Sequence, residues 1–128
     1  MKSIIKQKII NFKVNTQFKK AVNKLKKDPI MGLDLDFVKN QYKEEFIDLR
    51  NILNEFDPIG LLSMGAPINE YEPEVKTIIV QLNNLKYESE VLDLVYNEFQ
   101  RWFGNAGSKD SYKSLAIKIF AWKLKKLK

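Results

Sequence analysis

The chain has 128 residues, 45% of them hydrophobic and 30% charged, with a formal net charge of +6; this is enough apolar material for one core and too much for a disordered polymer. It contains no Cys and no His, which excludes disulfides, thiolate nucleophiles, zinc sites of the Cys type and Ser/His/Asp catalysis, and removes the commonest transition-metal ligand. No apolar run approaches the ~20 residues of a membrane-spanning helix, and lysines interrupt the apolar start Met1-Lys2-Ser3-Ile4-Ile5-Lys6 where a signal peptide needs continuity, so a cytoplasmic protein is expected.

In chain order, the N-terminal piece shows two helical stripes, Ile5, Ile9 and Phe12, then Phe18, Ala21, Val22 and Leu25. Thr16 suits the cap of the second, and Asp28-Pro29 stops it. Val38, Tyr42, Phe46, Leu49, Ile52, Leu53 and Phe56 recur at spacings of three and four, predicting one amphipathic helix over 37–56 with Asp36 as its N-cap. Pro58 ends it at Phe56, because the residue before a proline avoids helical geometry. Asp57-Pro58-Ile59-Gly60 fits a type I turn. Leu61, Leu62 and Met64 make the following loop apolar, so they either dip into the core or form an exposed contact.

A second strong helix is predicted over 73–85, with Pro73 in its first turn and Glu70, Glu72 and Glu74 beside its positive end. A third spans 89–103, capped by Ser89 and closed by Gly104. The last covers 110–126, started by Ser108 or Asp110, and carries Tyr112, Leu115, Ile119 and Trp122, with Leu127 at its end, as its apolar positions. No alternating strand pattern of useful length competes. The expected fold is all-α, a single domain over 1–128 built as a bundle of about five helices.

Charge is distributed in three blocks. Residues 1–33 carry nine Lys and one Asp, residues 34–98 carry fourteen acidic and five basic residues, and residues 99–128 carry eight basic and one acidic. The basic ends either pack over the acidic middle or serve partners of their own. Lys123, Lys125, Lys126 and Lys128 alternate with Leu124 and Leu127 after Trp122, a pattern that suits nucleic acid first and an anionic membrane surface second. With only Arg50 and Arg101, the chain is poor in the residue that best reads phosphates and bases.

Catalytic equipment is sparse. Gly60, Gly65, Gly104 and Gly107 form no phosphate loop. Asp57 with Glu70 is the best carboxylate pair for acid–base work, but turn and cap roles explain both more simply. Glu70, Glu72 and Glu74 lack the spacing of a calcium loop. No catalytic residue, cofactor site or metal site is therefore expected, and the chain reads as a non-enzyme. In the acidic middle, Glu70, Glu72 and Glu74 surround Tyr71; this is either an aromatic anchor within a charged rim, suited to a basic protein partner, or a core residue beneath the turn.

Phe56-Asp57-Pro58-Ile59-Gly60, a short apolar loop with Pro67, then Asn69-Glu70-Tyr71 resembles the signature of a family of small bacterial helical domains of unknown function: aromatic-Asp-Pro-Ile-Gly, proline, then acidic-Glu-Tyr at a helix start. The likeness covers residues 37–104, leaving 1–33 and 105–128 as basic helical additions, and the matching positions are Asp57, Pro58, Gly60, Glu70 and Tyr71. Phe56 departs from the usual tryptophan and Asn69 from the usual acid. The resemblance implies a helical bundle and, because members resemble immunity proteins, a partner in a cognate bacterial toxin. The expected function is thus neutralisation of a toxin domain by occupying its active site or substrate surface, with Asp57, Glu70, Tyr71, Glu72 and Glu74 as the contact residues and Pro58 and Gly60 shaping the turn. The alternative is a nucleic-acid-associated regulator that uses the basic terminal helices.

Overall fold

The computed structural model describes residues 29–127. The two expected N-terminal stripes, and Thr16 as a cap, lie outside the described residues. Within them are five α-helices packed together, with no strand: α1 (Leu35–Tyr42), α2 (Glu44–Phe56), α3 (Glu72–Leu82), α4 (Glu88–Phe103) and α5 (Lys113–Lys126), with a short 3-10 turn at Lys109–Tyr112 leading into α5.

α3 is the centre of the bundle. Eight of its eleven residues are buried, including Val75, Thr77, Ile78, Ile79 and Leu82. It is covered by α1, α2 and α4, while α5 closes the bundle between α2 and α4. A helix surrounded in this way must be apolar on most sides, which is why Ile78-Ile79-Val80 is continuous rather than striped. Leu49 and Leu53 of α2, Val91, Val95 and Phe99 of α4, and Leu115 and Ile119 of α5 complete the core.

The helix expected over 37–56 is two helices. Lys43 adopts φ +53° and ends α1, its N–H donating to the Lys39 carbonyl before α2 begins. The apolar spacing runs unbroken through Tyr42 and Phe46, so periodicity alone does not reveal the kink. The N-cap is Asp34 rather than Asp36: its carboxylate accepts the Phe37 N–H at 2.9 Å. Ser89 is not a cap either. Glu90 reaches back to accept the N–H groups of Lys86 and Tyr87 at 2.8 and 2.9 Å, which is the carboxylate half of a capping box and holds its carboxyl below the usual range. Phe56, Pro73 and Gly104 fall where expected, at the end of α2, in the first turn of α3 and at the C-cap of α4.

Candidate functional site

The loop between α2 and α3 is organised by one pair of side chains. Asp57 caps α2 in the left-handed conformation (φ +52°), with its N–H on the Leu53 carbonyl. Its Oδ1 accepts from the Tyr71 hydroxyl at 2.5 Å and the Leu62 N–H at 3.1 Å, and its Oδ2 accepts from the Ser63 N–H at 2.9 Å. The same Tyr71 oxygen accepts the N–H groups of Ile59 and Leu61 at 3.2 and 3.4 Å. The Gly60 N–H closes the turn on the Asp57 carbonyl at 3.0 Å. Asn54 of α2 adds a bond to the Ile68 carbonyl at 2.7 Å. Of the apolar loop residues, Leu61 enters the core, and Leu62 and Met64 pack against it half-buried.

Tyr71 is fully buried, its ring edge-on to Phe99 at 5.8 Å. A buried tyrosine needs a partner for its hydroxyl, and Asp57 supplies it. Burial raises the Asp57 carboxyl, but the hydrogen bonds from Tyr71, Ser63 and Leu62 outweigh that and hold it below the ordinary carboxylate range. Burial, then the hydrogen bond to Asp57, pushes the Tyr71 phenol well above its usual value. A carboxylate held low is a poor proton acceptor at neutral pH, so Asp57 is suited to structure rather than acid–base work. The signature stretch is therefore an architectural lock.

Two measurements follow. Asp57 has a lower pKa folded than unfolded, so its contribution to stability is present above the unfolded value near 3.8 and is lost as pH falls through the folded one. Asp57→Asn should flatten that acid limb of the stability–pH curve, measured by urea unfolding across acid pH. Gly60 sits at φ +79°, and an added Cβ would meet only Ser63 Oγ at an ordinary 3.6 Å. Gly60→Ala should therefore cost about 1 kcal/mol from backbone strain alone, read as a parallel shift of the denaturation midpoint.

The surface expected around Tyr71 is not there. Tyr71, Glu72 and Glu74 are 0%, 4% and 0% exposed, so of the two readings of Tyr71 the structure has the core residue beneath the turn, and the contact roles expected for Tyr71, Glu72 and Glu74 are corrected to buried positions. Glu72 turns in because two cations meet it: Lys39 Nζ at 3.1 Å and Arg50 Nη1 at 3.3 Å. This ties α1 and α2 to the start of α3. Asp57 and Glu70 are half-buried, and Asp57 is spent on the loop. Reversing the charge at Glu72 or Glu74 would place an ammonium in the interior and test folding, not binding.

Outward-facing carboxylates of the acidic middle lie both after this cluster, at Glu88 and Asp93, and before it, where they are more numerous. Asp34, Asp36, Glu44 and Glu55 are exposed, and Glu45 and Asp48 half-buried, on the cap of α1 and on α1–α2. Among them Phe37 is 60% and Ile47 46% exposed. Of the three basic residues in this stretch, Lys39 and Arg50 turn toward Glu72, leaving Lys43 outward. Sequence reasoning missed this surface because the denser cluster at 70–74 drew attention; the available signal was Phe37, an aromatic off the Val38–Tyr42–Phe46 stripe. The opposite charge sits on α5, which carries Lys113, Lys118, Lys123, Lys125 and Lys126 and no acid. Basic tail and acidic middle do meet in part: Lys118 pairs with Glu55 at 3.1 Å, and Trp122 Nε1 donates to Asp48 at 3.2 Å.

Among the described residues no group of three or more Asp or Glu converges as a metal site requires, and no helix is long and apolar enough to cross a membrane. In comparisons with known proteins, no family model, curated protein or solved structure matches this chain.

Proposed function

We propose that this chain is a binding protein of the immunity type, which neutralises a cognate bacterial toxin domain by covering its active site or substrate surface. The observation that carries this reading is the exposure of Asp34, Asp36, Glu44 and Glu55, on the cap of α1 and on α1–α2, together with exposed Phe37 and Ile47 on the same two helices. Stoichiometric inhibition needs no chemistry of its own. It needs a rigid surface of complementary charge, which speeds encounter and fixes register, and an apolar anchor whose burial slows release. The carboxylates of Asp34, Asp36, Glu44 and Glu55 suit a basic cleft such as that of a nuclease, where they would stand in for phosphates. The Asp57–Tyr71 lock and the Glu72 ion pairs support this role by holding α1 and α2 still, which lowers the cost of ordering on binding.

The signature residues of the resemblance over residues 37–104 serve the scaffold, and this reading puts the contacts outside them. The test is the affinity of the captured partner for Asp36→Lys/Phe37→Ala/Glu44→Lys. A loss of about a hundredfold or more is expected, with the wild-type interaction weakened by salt. Unchanged affinity in the triple variant would sink the assignment of this face. The alternative of nucleic-acid binding rests on the lysines of α5, and a steep salt slope for binding random DNA or RNA would favour it.

A further inference from the structure

The outer face of α5 has a composition that binding through α1 and α2 leaves unused. Ile117 and Leu124 are 51% and 64% exposed, and Ala121 between them is exposed too. Spacings of four and three place these residues on one line along the helix. Phe120 and Leu127, half-buried, border that line. Lysines accompany it: helical geometry places Lys118 and Lys125 along one side, Lys113 one turn before Ile117, and half-buried Lys123 farther round on the other side, while Lys126 lies on the opposite side of the helix. Lys113 and Lys118 have acidic neighbours, Asp110 at 3.6 Å and Glu55 at 3.1 Å, but both pairs are solvent-exposed, and such pairs hold a lysine only weakly. Beside Ile117 runs a groove of about 230 Å³, floored by Leu92, Ala116 and Ile117 and edged by Glu88, Ser89 and Lys113. Tyr87, next in the chain to Glu88, is 66% exposed.

We propose that this face of α5 docks on an anionic lipid surface. Ile117 and Leu124 enter the boundary between headgroups and acyl chains, and the lysines extend to the lipid phosphates, their alkyl stems lying along the apolar line. Tyr87 sits beside the groove as an aromatic of the kind that favours the membrane–water interface. Charge alone would serve nucleic acid equally well, but the rest of the face does not. Single-strand binding uses exposed aromatics for stacking and duplex recognition uses arginine. Here the exposed line is aliphatic, α5 has no Arg, Phe120 and Trp122 are half-buried, and Tyr87, though exposed, lies off α5 beside the groove rather than along the line of lysines. The two faces meet at the exposed Lys118–Glu55 pair, but the residues tested for the lipid, Ile117 and Leu124, are not assigned to the toxin, so either reading can fail without the other.

Flotation of the full chain with phosphatidylcholine vesicles, with and without phosphatidylglycerol, tests it. Binding should be about tenfold or more stronger with the anionic lipid. It should fall about tenfold in Ile117→Ser/Leu124→Ser and weaken as salt is added. Both substitutions are at exposed positions, and circular dichroism with thermal unfolding establishes that the variant is folded. Equal binding to neutral and anionic vesicles overturns the proposal, as does undiminished binding by the double variant. Binding of a random-sequence oligonucleotide without binding of vesicles overturns it as well and assigns the lysines to nucleic acid.

Discussion

Phe99→Ala is expected to destabilise the chain by about 4 kcal/mol, within the range for deleting a fully buried aromatic, and to lower Tm by roughly 15 °C. Phe99 is the meeting point of the aromatic core. It lies 5.8 Å from Tyr71 edge-on, 5.9 Å from Phe103 stacked, and 5.7 Å from Tyr112 tilted. Through these rings one side chain of α4 supports both the 57–71 loop and the entry to α5. Tyr112 is fixed in turn by its hydroxyl on the Ala106 carbonyl at 2.7 Å, and burial, with Tyr96 nearby, pushes its phenol up to about 12. The cavity left by Phe99→Ala cannot close without moving Tyr71 or Tyr112, each held by its own hydrogen bonds. Thermal and urea unfolding measure the loss. A cost below about 1 kcal/mol would mean that the aromatic cluster is not packed as described.

The second large effect is expected from Tyr71→Phe, about 3 kcal/mol by urea unfolding, for the loss of a single oxygen. That oxygen donates to Asp57 and accepts the N–H groups of Ile59 and Leu61. Removing it leaves two backbone donors short of a partner and strips a carboxylate of its strongest bond, and each orphaned buried group costs ~1–3 kcal/mol. Asp57→Asn should cost about 2 kcal/mol by removing the charge from the same network. The double variant should lose less than the sum of the two, because both delete one interaction. Strict additivity would show that the loop is held by something other than this pair.

The helical fold was legible because its punctuation is local. Pro58 after Phe56, Pro73 in the first turn of α3 and Gly104 after α4 each act within a residue or two, through backbone geometry that any neighbour reports. The break at Lys43 was not legible: a positive φ there is imposed by packing α1 and α2 on α3, and nothing in the residue type announces it. The cap at Asp34 was displaced by two residues because Asp36 offers the same chemistry at the wrong position. The candidate site was harder still. A run of Glu around a tyrosine reads as a surface until Lys39 and Arg50, 33 and 22 positions away, are brought onto Glu72. Long-range ion pairs leave no periodic trace. The partner of Asp57, fourteen residues downstream, is equally silent in the pattern, although a buried tyrosine hydroxyl and an aspartate that must end a helix each need an answering group.

Capture from source-cell lysate tests the central claim most directly, with tagged wild-type chain beside the tagged Asp36→Lys/Phe37→Ala/Glu44→Lys variant, each with and without nuclease treatment and read by mass spectrometry. The account predicts one dominant protein at near-equal stoichiometry with the wild type, indifferent to nuclease and lost from the variant. A set of partners that vanishes with nuclease, or a dominant partner retained in full by the variant, would contradict it.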